Sequence, residues 1–353
     1  MNNPSILLIY TGGTIGMMED PATGSLIPFE FAHIYDQVPE LKRFNLSLDF
    51  VSFDEPIDSS EITIASWQRI AELVEINYSH YDGFVILHGT DTMAYSASAL
   101  SFMLENLAKP VIFTGSQLPM GKLRTDGKEN LITAIEIAAA KRNNEPVVQE
   151  VAVYFESKLM RGNRTHKYST ENFDAFESAN FPTLADVGIH IFYKHHLMFP
   201  ARPADGRSSQ TEFKVNSRMD ENVAILKFFP GISKRVVESV LNVNGLKGVV
   251  LETFGAGNAP RSKWLIDALA KAVSKAIVVV NVSQCNKGFV EQGLYDTSKE
   301  LWRIGVIGGA DMTTESTLAK MMFLLGLGLE LSETKRMMMT SMRGELTSFS
   351  NLE

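Results

Sequence analysis

Cysteine is almost absent from this sequence, since Cys285 is the single thiol among 353 residues. One cysteine cannot close a disulfide within the chain or supply a thiolate cluster for a metal, and such usage is typical of a reducing compartment. The N-terminus also lacks the basic start and long apolar stretch of a signal peptide. These absences predict a cytoplasmic protein.

Long apolar runs and an excess of positive charge are missing as well. The longest apolar stretch, at 321–329, is about half the roughly 20 residues that a membrane span needs. The formal net charge is -8, and the lysines and arginines are scattered. Because such a surface repels phosphate groups, we expect neither nucleic acid nor membrane as a partner. A small polar solute is the expected ligand.

What the sequence does contain is a regular alternation of short apolar runs and helical patterns. The chain is longer than one core usually organises, and 45% of its residues are apolar, so two domains are expected. Apolar runs predict strands at 6–10, 46–53, 83–88, 111–114 and 151–155. Helical spacing predicts helices at 62–76, 92–107 and 126–140, the last with Asp126 as its N-cap. This alternation predicts an α/β fold with a mostly parallel sheet flanked by helices.

The stretch that follows is different in composition, and the second half repeats the alternation on a smaller scale. Residues 160–176 are polar and predicted to be irregular, whereas 200–210 are rich in Pro, Ala, Gly, Arg and Ser without apolar periodicity. We therefore predict an N-terminal domain at 1–200, a linker at 201–215 and a smaller C-terminal α/β domain at 216–353. Strands are expected there at 223–229, 248–251 and 276–282, and helices near Val236, Trp264 and Leu318 and at 332–341.

The first predicted strand ends in the segment 11–15 (TGGTI). Paired glycines permit a tight turn and bring backbone N–H groups close to whatever lies above the strand end. The alternative is a glycine turn that only lets the strand enter a helix, which an isolated motif of this kind more often signifies. A phosphate loop is disfavoured because no Gly-Lys-Ser/Thr follows.

The third predicted strand ends in the segment 88–92 (HGTDT). The hydroxyl of Thr90 and the carboxylate of Asp91 can face one polar ligand there, although simple helix capping by Asp91 or Thr92 is the alternative. The strand between these two in sequence leads to Asp58 and Ser60, either of which could instead cap the next helix. Because open α/β sheets bind ligands at the carboxyl edge of their strands, the grouping predicts a site.

Hydrolysis by a hydroxyl nucleophile needs a base and help for the developing oxyanion. The sequence lacks Gly-x-Ser-x-Gly and HExxH, and none of its histidines lies in a recognisable triad. Lys167, in the polar segment 161–167, is the candidate base, because a lysine desolvated in a closed site can accept a proton. From spacing alone, a solvated loop lysine is the alternative. Thr14 and Thr90, each just past a predicted strand, are the candidate hydroxyl groups for such a reaction.

Taken together, the segments 11–15 (TGGTI) and 88–92 (HGTDT) resemble the two signatures of the bacterial-type L-asparaginase family. The chain is similar to the cytoplasmic type I branch nearly end to end. Supporting stretches are 114–117 (TGSQ), 161–164 (RGNR), 257–260 (GNAP) and 306–311 (VIGGAD). The resemblance implies hydrolysis of L-asparagine to L-aspartate and ammonia through a threonine acyl-enzyme, without a cofactor. A pocket that admits one more methylene loses only roughly 1–3 kcal/mol of discrimination, which is compatible with minor glutaminase activity.

The resemblance also implies catalytic roles for four residues. Thr14 matches the nucleophile of the family. Thr90, Asp91 and Lys167 match the second hydroxyl, the carboxylate and the lysine that relay protons and position the attacking water. Asp91 also matches the group that pairs with the substrate ammonium.

Other positions match residues that hold the substrate. Ser59, Ser60 and the backbone of Gly89 match the groups that bind the α-carboxylate. In the family a residue from the neighbouring subunit completes the site, and Asn258 occupies the matching position. The resemblance therefore implies a homodimer or a homotetramer built from two dimers.

Two departures from the family pattern limit this transfer. The segment 17–28 matches a mobile lid, but Leu26 stands where many members carry a tyrosine, which leaves the group that activates Thr14 open. Some type I members have a regulatory asparagine site that uses an arginine, where this chain has Glu252. Since Glu252 would repel a carboxylate, we predict weak or absent allosteric activation.

Two other functions share these motifs. The amidase subunit of a tRNA-dependent amidotransferase carries the same threonine segments, but that function requires an RNA-binding extension, and this chain is acidic. A non-catalytic amino-acid sensor with the same fold is the other alternative. Retention of both threonines, Asp91 and Lys167 favours the enzyme.

Overall fold

A computed structural model of the protein describes residues 3–19, 26–28, 34–199, 212–290 and 296–347. The chain divides into two compact units. Unit 1 comprises Met1–Ser178 and Pro182–Ser217, and unit 2 comprises Ala179–Phe181 and Arg218–Glu353. The short segment 179–181 thus belongs to unit 2, although the chain on both sides of it belongs to unit 1. Residues 201–211 of the predicted linker lie outside the described residues.

Unit 1 contains the larger sheet. Its helices are α1 (Ile34–Gln37), α2 (Ile64–Asn77), α3 (Met93–Met103) and α4 (Gly127–Ala139). Its strands are β1 (Ser5–Tyr10), β2 (Met17–Glu19), β3 (Leu26–Pro28), β4 (Ser47–Ser52), β5 (Gly83–Leu87), β6 (Leu104–Glu105), β7 (Val111–Thr114), β8 (Lys141–Arg142), β9 (Glu145–Pro146), β10 (Val151–Phe155), β11 (Lys158–Arg161), β12 (His166–Lys167), β13 (Phe176–Glu177), β14 (Ala185–Val187), β15 (Ile191–Tyr193) and β16 (Lys214–Val215).

Eight of these strands form one sheet in the order β15-β14-β11-β10-β7-β5-β1-β4. The pairs from β4 through β10 are parallel, whereas β11, β14 and β15 add antiparallel pairs at one side. Every residue of β5 is buried, as expected for a strand covered on both faces. The predicted α/β class with a mostly parallel sheet is confirmed. The short strands β14 and β15 were not predicted, because three-residue segments carry too little periodicity.

Local capping differs from the sequence prediction in two places. Helix α2 begins with a capping box in which Thr63 and Ser66 satisfy each other's backbone N–H groups, so neither Asp58 nor Ser60 caps it. Asp126 does precede α4, but its side chain makes no cap hydrogen bond. Its carboxylate instead accepts hydrogen bonds from the backbone N–H groups of Gln117 and Leu118, and thereby fixes the loop after β7.

The segment predicted to be irregular at 160–176 is irregular over 168–175, but the prediction was wrong for most of 160–167. It holds the end of β11, a 3₁₀ helix at Gly162–Arg164 and both strands of the β12–β13 hairpin. Its residue Arg161 forms a buried ion pair with Glu150, which precedes the segment. Arg161 Nε donates to Glu150 Oε2 at 2.6 Å, and Arg161 Nη2 donates to the Leu197 carbonyl at 2.8 Å. The polar composition of the segment therefore gave no sign that its first part is buried.

Unit 2 is a smaller α/β unit built on one parallel sheet in the order β17-β18-β19-β20. The strands are β17 (Val223–Lys227), β18 (Gly248–Thr253), β19 (Val278–Ser283) and β20 (Ile307–Gly308), and the helices are α5 (Lys234–Leu241), α6 (Lys263–Ser274), α7 (Asp296–Arg303), α8 (Thr314–Gly326) and α9 (Leu331–Met338). This agrees with the predicted smaller C-terminal α/β domain.

A buried ion pair holds the end of unit 2 to helix α8. Lys320 Nζ lies 2.5 Å from Glu345 Oε1, and both side chains are inaccessible to solvent. Lys320 also donates to the carbonyls of Met338 and Thr340, while Glu345 accepts from the backbone N–H groups of Met342 and Arg343. Because the remaining hydrogen-bonding capacity of both ions is used, the desolvation of the pair is compensated.

Among the helices of the described residues, none is long and apolar enough to cross a membrane.

Candidate active site

Three of the turns predicted from sequence meet at the carboxyl edge of the sheet in unit 1. Gly13, which follows β1, has φ of 88°, and a Cβ placed on it would clash with the Cα and N atoms of Gly89. Gly89, which follows β5, leaves room for Ser59, because a Cβ there would lie 2.6 Å from the Ser59 hydroxyl oxygen. Two residues without side chains thus let the three turns approach each other.

Thr14 is the first residue of a 3₁₀ helix at Thr14–Gly16, with Gly13 before it. The contact between Gly13 and Gly89 therefore brings the residue before Thr14 against the residue before Thr90. The two predicted threonine turns are neighbours in the folded chain.

Lys167 joins the second turn through two short hydrogen bonds. Its Nζ donates to Thr90 Oγ1 at 2.7 Å and to Asp91 Oδ1 at 2.7 Å. The side chain of Lys167 is only 13% exposed, whereas that of Asp91 is 62% exposed. Thr90, Asp91 and Lys167, which are far apart in sequence, are therefore brought together, and the carboxylate remains open to solvent. The alternative of a solvated loop lysine is wrong.

The short hairpin β12–β13 delivers Lys167 to this place. Lys167 pairs with the buried Phe176 across the hairpin. An aromatic anchor on one strand fixes the register of the other, because a slip of one residue would turn every side chain to the opposite face. This pairing explains how a lysine in a polar segment reaches the sheet edge.

Gln117, which follows β7, is a site residue that was not predicted from the sequence. Its side-chain Oε1 accepts a hydrogen bond from Thr90 Oγ1 at 3.3 Å, and its Nε2 donates to the Asn172 carbonyl at 3.1 Å. Its backbone N–H is held by the Asp126 carboxylate. The signal in the sequence was its place at the end of the segment 114–117 (TGSQ), directly after a buried strand.

The serines after β4 differ in their surroundings. Ser59 is buried, and its Oγ accepts from the Asp91 N–H at 3.3 Å while its carbonyl accepts from the Thr92 hydroxyl at 2.6 Å. Thr92 therefore ties two turns together instead of capping α3 with its side chain. Ser60 is exposed.

Asp58 precedes the 3₁₀ helix at Ser59–Glu61 and accepts hydrogen bonds from both the backbone N–H and the hydroxyl of Ser60, each at 2.8 Å. The bond from the Ser60 backbone N–H, followed by that from its hydroxyl, lowers the pKa of the Asp58 carboxyl group. Asp58 is thus a local cap of the 3₁₀ helix, and the Ser60 hydroxyl is fixed beside it.

His88 lies beneath the Thr90 turn and is fully buried. Its Nδ1 is 2.7 Å from the Gly89 carbonyl, and its Nε2 is 2.9 Å from Ser96 Oγ, which also accepts from Trp67 Nε1 at 2.9 Å. Since a carbonyl only accepts, Nδ1 carries the hydrogen and Nε2 accepts from the serine. Burial lowers the pKa of His88 to about 4, so the ring is a neutral support for the turn.

Tyr10, the last residue of β1, lies beside the first turn. Its hydroxyl donates to the Gly13 carbonyl at 3.4 Å, and Gly16 passes so close to its ring that a Cβ there would clash. Burial raises the pKa of Tyr10 to about 12. The phenol is therefore protonated near neutral pH and supports the turn as a donor.

Part of the predicted lid, namely 20–25, lies outside the described residues. The flanking strands β2 and β3 pair antiparallel, with Met17 opposite Pro28 and Glu19 opposite Leu26. Their pairing brings both ends of the segment together, directly after the Thr14 turn in sequence.

Two family models match most of the chain. Residues 5–199 match the model described as "Asparaginase, N-terminal", and residues 222–338 match the "Glutaminase/Asparaginase C-terminal domain". This chain belongs to the asparaginase family.

Individual relatives of this asparaginase-family chain agree with the assignment. It is 44% identical over 352 residues to L-asparaginase 1 of Escherichia coli strain K12, covering 98% of this chain and 99% of the relative. The crystal structure of L-asparaginase I from Vibrio cholerae superposes with a TM-score of 0.87 at 41% identity, covering 98% of this chain and all of that one. The resemblance to the type I branch is confirmed, and the protein is an amidohydrolase of this family.

A more distant relative is longer than this asparaginase-family chain. It is a glutamyl-tRNA(Gln) amidotransferase component from Pyrococcus abyssi that is 32% identical, and the match covers 99% of this chain but 78% of the relative. The shared part therefore contains both threonine turns, and the remainder of that relative has no counterpart in the match.

Unit 2 of this asparaginase-family chain holds the two remaining positions that were singled out from sequence. Asn258 lies in a tight loop in which its backbone N–H and carbonyl both bond to Phe254, at 2.8 and 3.0 Å. Glu252, in β18, accepts from the Thr314 hydroxyl at 2.7 Å and lies 3.1 Å from Lys227 Nζ. The carboxylate of Glu252 is thus paired with a lysine and a hydroxyl group within unit 2.

Proposed function

We propose that this asparaginase-family enzyme hydrolyses L-asparagine to L-aspartate and ammonia through an acyl-enzyme on Thr14. The observation that carries the proposal is the pair of 2.7 Å hydrogen bonds from Lys167 to Thr90 and Asp91, beside the turn that bears Thr14. A hydroxyl, a carboxylate and a sparingly exposed ammonium are thereby arranged at the carboxyl edge of a parallel sheet.

In the first half of the proposed reaction, the Thr14 hydroxyl oxygen attacks the side-chain carboxamide carbon of asparagine. A carbon–oxygen bond forms, the carbon–nitrogen bond breaks, and the nitrogen leaves as ammonia after taking up the proton that the Thr14 hydroxyl gives up. We assign stabilisation of the developing oxyanion to backbone N–H groups of the turn at Gly13.

In the second half, water attacks the aspartyl ester on Thr14. Thr90 receives a proton from this water as its own hydroxyl proton passes to a neutral Lys167. The carbon–oxygen bond to Thr14 then breaks, the Thr14 oxygen takes back that proton through the same relay, and the carboxylic acid is released and ionises to aspartate. Lys167 is so placed that one short contact links it to the relaying hydroxyl.

Groups beside this relay orient the substrate. The exposed carboxylate of Asp91 pairs with the substrate ammonium, while the Ser60 hydroxyl, Ser59 and the backbone of Gly89 hold the α-carboxylate. Charge-assisted hydrogen bonds of this kind are short and directional, and they favour an α-amino acid over a simple amide. Glutamine, with one more methylene, is a weaker substrate.

The proposal includes a homodimer or homotetramer in which Asn258 completes the site of a neighbouring subunit. Support comes from the family resemblance at this position, and two backbone hydrogen bonds to Phe254 hold Asn258 in a tight loop. A cytoplasmic location also belongs to the proposal, in keeping with the single exposed cysteine.

Ammonia release from asparagine and glutamine tests the activity directly. We expect Thr14→Ala to lower kcat by about 1,000-fold or more, since the nucleophile is lost, and Lys167→Met to lower it by about 100-fold or more. Thr14→Ala with unchanged activity would exclude the nucleophile, and full activity in Lys167→Met would exclude the relay.

Mixed oligomers test the role of Asn258. Thr14→Ala and Asn258→Ala chains are each expected to be nearly inactive alone. In randomly mixed dimers about half are hybrids, each with one intact site, so about a quarter of all sites recover. Activity that does not recover on mixing, at a dimeric mass by light scattering, would show that Asn258 does not act across subunits.

A further inference from the structure

The amide of Gln117 is oriented by a partner that is remote from the chemistry. Its Nε2 lies 3.1 Å from the backbone carbonyl of Asn172, and a carbonyl only accepts hydrogen bonds. If the amide were flipped, two carbonyl oxygens would face each other. The amide oxygen of Gln117 must therefore point to the other side, toward Thr90 Oγ1 at 3.3 Å.

The Asn172 carbonyl is itself held in place. Asn172 lies in the loop between β12 and β13, where the Ser169 hydroxyl accepts from the backbone N–H groups of Glu171 and Asn172 at 3.2 and 3.0 Å. This is a local turn that fixes the direction of the loop. The same hairpin carries Lys167, so one element sets both partners of the Thr90 hydroxyl.

Thr90 has one hydroxyl hydrogen and two neighbours that compete for it. When Lys167 is an ammonium, it occupies a lone pair of Thr90 Oγ1 at 2.7 Å, and the hydrogen of Thr90 must go elsewhere. Gln117 Oε1 accepts it there. When Lys167 is neutral, the same hydrogen can turn to its nitrogen. The state with the ammonium is thus stabilised by Gln117, and the state with the neutral amine does not need it.

We propose that Gln117 is a positioning residue that holds the Thr90 hydroxyl hydrogen away from Lys167 until Lys167 loses a proton. It thereby sets the pH range in which the Thr90–Lys167 relay operates. This inference rests on the proposed hydrolase function of the same site. Asp91 is the charged group in contact with Lys167, and the β12–β13 hairpin that bears Lys167 also carries His166 and Glu177.

Two substitutions of Gln117 have opposite expected effects on the pH profile of kcat. Gln117→Leu removes the acceptor and destabilises the ammonium state, so the rising limb moves to lower pH by roughly 0.5–1 unit, the equivalent of one lost hydrogen bond. Gln117→Glu keeps an acceptor and adds a negative charge, so the limb moves to higher pH. Because Gln117 acts through Thr90, KM for asparagine changes by less than about twofold in either variant.

Gln149 offers a matched control. It is also a half-buried glutamine of unit 1 whose Nε2 donates to a backbone carbonyl, that of Pro146, at 3.3 Å. Gln149→Leu and Gln149→Glu should leave the pH profile of kcat unchanged. Thermal unfolding of all four variants identifies any that fail to fold, and Gln117→Asn, which is too short to reach Thr90, then replaces Gln117→Leu.

The outcomes separate this proposal from the function on which it rests. Wild-type protein that releases no ammonia from asparagine would overturn the proposed function. Active wild-type protein whose Gln117 variants keep the wild-type pH profile, or shift it in the same direction, would overturn the positioning role alone. Shifts in opposite directions would support it.

Discussion

The two parallel sheets use their carboxyl edges in different ways. In unit 1 the turns after β1 and β5 meet at glycines, and Asp91 there is 62% exposed. In unit 2 two polar side chains at the corresponding edge bond to other groups of the same unit. Thr253 donates to Asn281 Oδ1 at 2.7 Å, and Asn281 Nδ2 donates to the Gly257 carbonyl at 3.1 Å, with both side chains buried.

The difference shows that a threonine after a buried strand is not by itself a sign of chemistry. At the edge of unit 2 the Thr253 hydroxyl and the Asn281 amide bond to each other, and the amide also holds the loop that carries Asn258. At the edge of unit 1 the hydroxyl of Thr90 is shared with a lysine next to an open carboxylate. The candidate site differs because a polar group there, the Asp91 carboxylate, remains open to solvent and can bind a ligand.

The largest expected effect comes from removing one threonine hydroxyl at each edge. Thr90→Val should lower kcat/KM for asparagine by about 1,000-fold, since the proposed relaying group is lost, with little change in stability. Thr253→Val should lower kcat/KM by less than about tenfold. It should cost about 1–3 kcal/mol of unfolding free energy, because buried Asn281 Oδ1 loses its donor. Steady-state kinetics and urea unfolding measure both, and equal losses of activity would remove the contrast.

A second pair of variants tests the close approach of the turns. Gly13→Ala places a methyl group against the backbone of Gly89 at a φ of 88°, and displacement of the Thr14 turn should lower kcat/KM by about 100-fold. Gly231→Ala has a similar φ of 91° but meets nothing within 4 Å. It should cost only about 1 kcal/mol of stability and leave kinetics unchanged. Normal activity in Gly13→Ala would refute the contact.

The pH dependence of stability tests the support beneath the site. Burial lowers the folded-state pKa of His88 from 6.5 to about 4, so the unfolded chain binds the proton first. His88 therefore contributes stability that is lost as pH falls from about 6.5 toward about 4. Between pH 7 and pH 5 this amounts to about 2 kcal/mol. Urea unfolding of His88→Asn should show a correspondingly smaller loss, whereas an identical loss would mean that His88 is not the titrating group.

The smallest expected effect concerns the exposed serine at the site. Ser60→Ala should raise KM for asparagine roughly three- to tenfold at unchanged kcat, because the proposed hydrogen bond to the substrate carboxylate is lost. Ser239→Ala, which removes an exposed hydroxyl from α5 in unit 2, serves as the control. A change in kcat rather than KM would assign Ser60 to the chemistry.

The sequence was informative where local physics decides the structure. Buried strands such as β5 and β7 are short apolar runs, and the turns after β1 and β5 contain the glycines that their close contact requires. The fold class and the two threonine turns could therefore be predicted. Lys167 was identified through its polar segment and the family resemblance, because nothing local places it beside Thr90.

Long-range pairing explains what could not be predicted. Gln117 reaches Asn172 across 55 positions of the chain, and no local pattern specifies that contact. Asp126 had the position and chemistry of an N-cap, yet two backbone N–H groups of a neighbouring loop outcompeted the helix for its carboxylate. The first part of the segment 160–176 was misassigned because charged residues occur both in buried ion pairs, such as that of Arg161, and in exposed loops.

The segment 179–181 has a consequence for biosynthesis. Asn180 Nδ2 donates to the Asp311 carbonyl at 3.2 Å, and Asn180 Oδ1 accepts from the Gly288 N–H at 2.8 Å. A ribosome makes this piece of unit 2 before the rest of it, and Asp311 follows 131 positions later. During synthesis, Asn180 therefore has neither Asp311 nor Gly288 as a partner until after the last residue of unit 1 has been made. A gene divided between the units at 217 would leave the fragment 218–353 without Asn180 permanently.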